Sequence, residues 1–75
     1  MSESISDFMV HVGGGLSAED HKHLEECVHN DPCVISAGFS PHASHLMTVV
    51  YDCECTHATD ILNHVRHTGR RATML

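Results

Sequence analysis

The sequence predicts an α+β domain in which four short strands and two helices follow the order β-α-β-β-α-β, and three observations predict it. Residues 8–12, 33–40 and 45–52 alternate side chains with the period of a strand. Residues 17–29 and 56–68 instead bring apolar residues back at helical spacing. Glycine, proline and Asn-Asp punctuation separates these segments. With 75 residues there is room for one domain and one core.

Each element has its own signal. In "FMVHVGGG" Phe8, Val10 and Val12 share one face and Met9 and His11 the other, before three glycines end the strand. Ser17, with Asp20 three residues on, is an N-cap with an acidic first turn, and Leu24, Cys27 and Val28 fall on one face of the helix that follows. "NDP", residues 30–32, stops it. In the second strand Cys33, Ile35, Ala37 and Phe39 are placed on one face, with Val34, Ser36, Gly38 and Ser40 on the other. "PHAS" turns the chain into a third strand, in which Met47, Val49 and Tyr51 are in register, so the two strands form a hairpin. Thr56 is placed as the cap of a second helix through Ile61, Leu62 and Val65, with Gly69 as its C′ residue and "RRATML" as the last strand.

This order is the ferredoxin-like, or split βαβ, arrangement: a four-stranded antiparallel sheet with two helices on one face. Residues 1–75 are expected to form that single domain, with residues 1–6 disordered. Only two Phe, one Tyr and no Trp stand among the 41% hydrophobic residues, so the core must be aliphatic and thin. A net charge of -6 argues against a nucleic-acid partner. No run approaches the roughly 18 apolar residues of a membrane span, and "MSESISDFMV" lacks the features of a leader, so no membrane insertion and a cytoplasmic location are expected. In that compartment thiols stay reduced, and four Cys suggest metal, redox chemistry or packing before a disulfide. Nine His are the largest compositional anomaly, and His is the commonest metal ligand.

Over residues 7–75 the chain resembles the heavy-metal-associated domain family of small copper chaperones, a mercuric-ion carrier and the N-terminal domains of metal-pumping ATPases. The resemblance rests on "VGGGLSAEDHKHLEE", where the family has a strand, Gly-Met-x-Cys-x-x-Cys and a helix. It continues through "VVYD" and "ILNHVRHTGRRA". It implies the ferredoxin-like fold, a transition metal ion (Cu(I) or Zn(II), with Ni(II) as a third choice) and a metal-transporting ATPase or other metalloprotein as partner. It also implies that Ser17 and Asp20 stand where the family has its two metal-binding cysteines, Gly15 where it has Met, and Arg70 where it has an aromatic. A Ser and an Asp do not supply the thiolates that a soft ion requires.

In the split βαβ topology the loops divide between two poles. One collects Ser17, Asp20, His42, His45 and His67, with His21 nearby. The opposite pole takes all four cysteines: Cys27 beside His29 at the end of the first helix, Cys33 opening the second strand, and Cys53 and Cys55 in the loop ahead of His57. On an extended stretch residues two apart point the same way, so Cys53 and Cys55 can aim both sulfurs at one ion, with His57 following. Candidate metal ligands are therefore Cys53, Cys55, His57, Cys33, Cys27 and His29. His42 and His45, three apart in the turn, form a second set for a borderline ion, completed by Asp20 or His67.

Each candidate has a plainer reading. Cys27 and Cys33 can be small core hydrophobes, most surface histidines bind nothing, and Ser17 is a cap rather than a nucleophile. Cys-x-Cys can also close a strained disulfide. Two thiolates do not make a structural zinc site, but an open two-coordinate site suits transfer, and a homodimer can share one ion. The expected function is a small soluble metal carrier or sensor with an atypical Cys/His site. The alternative is a degenerate metal-free domain that docks a transporter or enzyme. Enzymatic activity is not expected.

Overall fold

The computed structural model describes residues 4–75. Its elements are β1 (Ile5–Val12), α1 (Ala18–His29), β2 (Val34–Ser40), β3 (Ala43–Asp52), α2 (Ala58–Arg66) and β4 (Ala72–Met74). The order matches the expected βαββαβ arrangement. The sheet runs β2-β3-β1-β4, and every neighbouring pair is antiparallel. β1 and β2, both antiparallel to β3, therefore point the same way.

The alternation in β1 and β3 decides which face is buried. Val10, Val12, Met47, Val49 and Tyr51 lie beneath the helices, with Val10 opposite Met47 and Phe8 opposite Val49. Leu24 and Val28 of α1 and Ile61, Leu62 and Val65 of α2 close over them. Phe8 meets Tyr51 edge to face at 5.5 Å between ring centroids. The other face of the sheet carries no helix, and there Ile5 and Met9 of β1 stand exposed.

Four expectations need correction. The strand begins at Ile5 rather than Phe8, and Ser4 ahead of it is buried, so the disorder expected over residues 1–6 does not extend to residues 4–6; residues 1–3 lie outside the described residues. Ile35 is expected on one face with Cys33, Ala37 and Phe39 and Val34 on the other, but Ile35 is 49% exposed whereas Val34 is 6% exposed, so Val34 and not Ile35 shares the buried side with Ala37 and Phe39. A register shift between Val34 and Ser36 inserts one residue and exchanges the two faces at that point, while Ala37 and Phe39 do pack against the core. The N-cap of α2 is His57, with no side-chain cap bond, rather than Thr56. His67 is its C-cap, so Gly69, with φ +89°, closes the exit one residue later than expected.

Candidate functional site

At the pole formed by the β1–α1 loop, the β2–β3 turn and the α2–β4 loop, the polar side chains hold one another. Ser17 and Asp20 form a capping box: the Asp20 N–H donates to Ser17 Oγ at 3.1 Å, and the Ser17 N–H donates to Asp20 Oδ2 at 2.9 Å. The other oxygen of Asp20 pairs with Arg70 at 2.9 Å. The Ser17 backbone, then the Ser17 hydroxyl and then the Arg70 guanidinium hold the Asp20 carboxyl below the ordinary carboxylate range. Gly14, with φ +93°, lets the loop pass beneath Arg70, whose Nη1 lies 3.6 Å from where a Cβ would stand. Ser17→Ala removes the acceptor for the Asp20 N–H and is expected to cost about 1 kcal/mol of stability, measured by urea unfolding.

The histidines of this pole are partly engaged. His45 Nδ1 lies 3.1 Å from the Val12 carbonyl, which can only accept, so that nitrogen carries the proton. Its ring stacks with His11 at 5.9 Å. His21 likewise donates from Nε2 to the Ser44 carbonyl at 2.8 Å and lies flat on Phe39 at 4.2 Å. His42 is exposed in the turn, where its backbone N–H donates to Ser40 Oγ. The neighbour that sequence reasoning missed is His11. It pairs across the sheet with Leu46, which places it beside His45, and that register was the only signal for it.

The four cysteines lie on the elements and the loop of the opposite pole, at the end of α1, the start of β2 and the β3–α2 loop, but they pair differently from the expectation. Cys33 and Cys55 form a disulfide with Cα atoms 5.5 Å apart, whereas Cys27 and Cys53 are free thiols. Disulfide formation was ranked below metal binding, and the only bridge considered was between Cys53 and Cys55. Residues 53–55 are also not extended. They form a turn closed on Asp52, whose carbonyl accepts from the Cys55 and Thr56 N–H groups at 3.0 and 3.1 Å and whose Oδ1 accepts from the Glu54 N–H at 2.9 Å. The turn breaks the period of two that would have aimed the Cys53 and Cys55 side chains together. It leaves Cys55 facing Cys33 at the start of β2.

This turn is well anchored. The Cys53 N–H donates to the Ser4 carbonyl at 2.7 Å, and the Asp52 N–H donates to the Cys33 carbonyl at 2.9 Å. The Cys33 N–H in turn donates to Asp31 Oδ1 at 2.9 Å. A hydrogen bond from Ser4, followed by the Glu54 N–H, holds the Asp52 carboxyl below its ordinary range. Cys53 and Cys55 are exposed, Cys33 and Cys27 half-buried, and His57 and His29 exposed beside them. Among the described residues no three His, Cys, Asp or Glu side chains converge on a point that an ion would fill. With Cys33 and Cys55 joined, the turn offers one free sulfur, that of Cys53.

The architecture is that of the ferredoxin-like α+β domains. Among solved structures the chain is similar to a copper binding domain from HMA7, a P-type ATPase (TM-score 0.82, 23% identity, 92% of each chain covered). It is also similar to the CopZ metallochaperone (TM-score 0.81, 18% identity, 91% of this chain and 100% of that one). A third is oxidized MerP from Ralstonia metallidurans CH34 (TM-score 0.82, 10% identity, 93% and 96%). At these identities the likeness shows the fold. No family model matches the chain, and no curated protein matches it by sequence. Among the described residues no helix is long and apolar enough to cross a membrane.

Proposed function

We propose that the chain is a small metal-binding protein of the carrier or sensor kind that takes a soft transition ion as cargo on its cysteine pole. Cu(I) is the first choice, and Zn(II) or Ni(II) follow. What supports this reading is that Cys33, Cys53 and Cys55 lie at one pole, Cys33 and Cys55 joined and Cys53 free in the same hydrogen-bonded turn, since polarisable sulfur donors are what such an ion selects. The positions that the family resemblance assigns to its metal ligands, Ser17 and Asp20, do not fit a soft ion. Their oxygens cap a helix, and a guanidinium lies against the carboxylate, where it would repel a cation. The likeness in fold to copper binding domains supports the class, and a metal-transporting ATPase or another metalloprotein is the partner it suggests. We assign no enzymatic role and place the protein in the cytoplasm.

A second reading, a metal-free docking domain, draws on the helix-free face of the sheet, where Ile5 and Met9 are 59% and 36% exposed and Leu75 follows β4 at 69%. Elemental analysis of untagged protein purified anaerobically, with thiols counted on the same sample, separates the two. Stoichiometric metal with protected thiols supports the carrier. Metal with every unbridged thiol reactive moves the cargo to the histidines, and metal-free protein leaves the docking domain.

A further inference from the structure

An antiparallel sheet with one face in water normally alternates apolar residues inward and polar residues outward. On the helix-free face of this sheet the central strands present Ile5, Asp7, Met9 and His11 from β1 and Leu46, Thr48 and Val50 from β3. Apolar residues outnumber polar ones there, and none of the seven is buried. The four strands contain no Lys or Arg. Strand pairing arranges the face in rows. Asp7 stands beside Val50 and Ser36, Met9 beside Thr48 and Gly38, and His11 beside Leu46 and Thr73. The Leu75 N–H donates to the Met9 carbonyl at 3.0 Å, which extends the middle row. Among the described residues neither Asp7 nor His11 forms an ion pair within the chain; the His45 ring stacks on His11 at 5.9 Å.

We propose that this face is the contact surface between two copies of the chain, packed sheet to sheet about a two-fold axis that crosses the strands at the Met9–Thr48 row. A two-fold contact must be self-complementary. An axis in this position sets the middle row against itself and the Asp7 row against the His11 row of the second copy. Val50 then meets Leu46, apolar on apolar, and each Asp7 carboxylate meets the imidazole of His11. Other crossings of the strands lose this match. An axis at the Asp7–Val50 row opposes two Asp7 carboxylates, one at the His11–Leu46 row opposes two imidazoles, and one between rows sets Asp7 or His11 on Met9. Sheets packed in this way lie about 10 Å apart and cross at roughly 30°. The crossing displaces the two central strands least, and those strands carry the complementary residues. A face of four short strands is at the small end of interface sizes, so the dimer is weak, with Kd on the order of 10–100 μM. It requires no metal and stands whether or not the cysteine pole carries cargo.

Sedimentation equilibrium of the metal-free chain tests this over concentrations from low micromolar to millimolar at about pH 6.5, where an ordinary imidazole is half protonated. Every sample carries Cys53→Ser, so that the exposed thiol cannot link copies covalently. The starting chain is expected to pass from monomer to dimer within that range. Met9→Glu and, separately, Thr48→Glu each set two carboxylates against one another in the middle row and are expected to raise Kd roughly tenfold or more. Both sites are on the water-facing side of the sheet, and circular dichroism checks that each variant folds. His11→Asp opposes a carboxylate to Asp7 and is expected to weaken the dimer by a similar factor. Adding Asp7→His to His11→Asp restores the pairing in the reverse sense and is expected to bring Kd back to within about threefold of the starting chain. His64→Asp, exposed on α2, is expected to change nothing. A chain that stays monomeric throughout would overturn the proposal and leave the face to a different protein. A dimer indifferent to both middle-row variants would place the contact on another surface. Failure of the folded double variant to recover would overturn the Met9–Thr48 axis.

Discussion

Reduction of the Cys33–Cys55 bridge is expected to lower the melting temperature of the metal-free protein by more than any surface substitution does. The bridge joins residues 22 apart in sequence and so restricts the unfolded chain. The chain-entropy relation gives about 3 kcal/mol for a loop of this size. For a domain of this length each kcal/mol moves the melting midpoint by about 4–8 °C, so a fall of roughly 12–24 °C is expected. Circular dichroism melts of the oxidised and dithiol-treated protein measure it. A fall of less than a few degrees would mean that the hydrogen bonds around Asp52 hold this pole without the bridge.

Ile61→Ala is expected to have an effect of similar size for a different reason. Ile61 is 1% exposed at the centre of α2, among Leu62, Val65 and the strand residues of the single core. Truncating such a side chain removes transfer energy and leaves a cavity, at a cost of about 2–5 kcal/mol. A domain of this size has about 4–11 kcal/mol of stability in all, so the variant keeps little margin. Urea unfolding followed by circular dichroism gives the loss, and Ile5→Ala, at an exposed site, should stay within about 0.5 kcal/mol of wild type. A loss below about 1 kcal/mol for Ile61→Ala would contradict the packing of α2 described above.

The elements that were legible in the sequence are those whose signal is local. The capping box at Ser17 and Asp20 started α1 where it was expected, and Met47, Val49 and Tyr51 alternate into the core as their spacing implies. The sorting of cysteines to one pole followed from topology alone. The misses depend on contacts with other parts of the chain. Whether Ile35 faces in or out is decided by an irregularity in its pairing with β3, which leaves no mark in "CVISAGFS". The partner of Cys55 is decided by the turn that Asp52 closes, which carries Cys55 away from the direction of Cys53 and towards Cys33. The engagement of His45 with Val12 needs the register of β1 against β3, so the histidine set read from the turn lacked its neighbour His11.

The irregular pairing of β2 bears on how the molecule behaves among copies of itself. β2 is an edge strand, and its register against β3 shifts at both ends, between Val34 and Ser36 and between Phe39 and Ser40. At the second shift the Phe39 N–H is taken at 2.8 Å by the Glu25 carboxylate reaching over from α1. An uninterrupted edge would offer a regular ladder of donors and acceptors to the edge of another molecule, and so a route to fibrils. Here the ladder is broken twice, which makes the β2 edge a poor template for a strand of another molecule despite the exposed isoleucine on it.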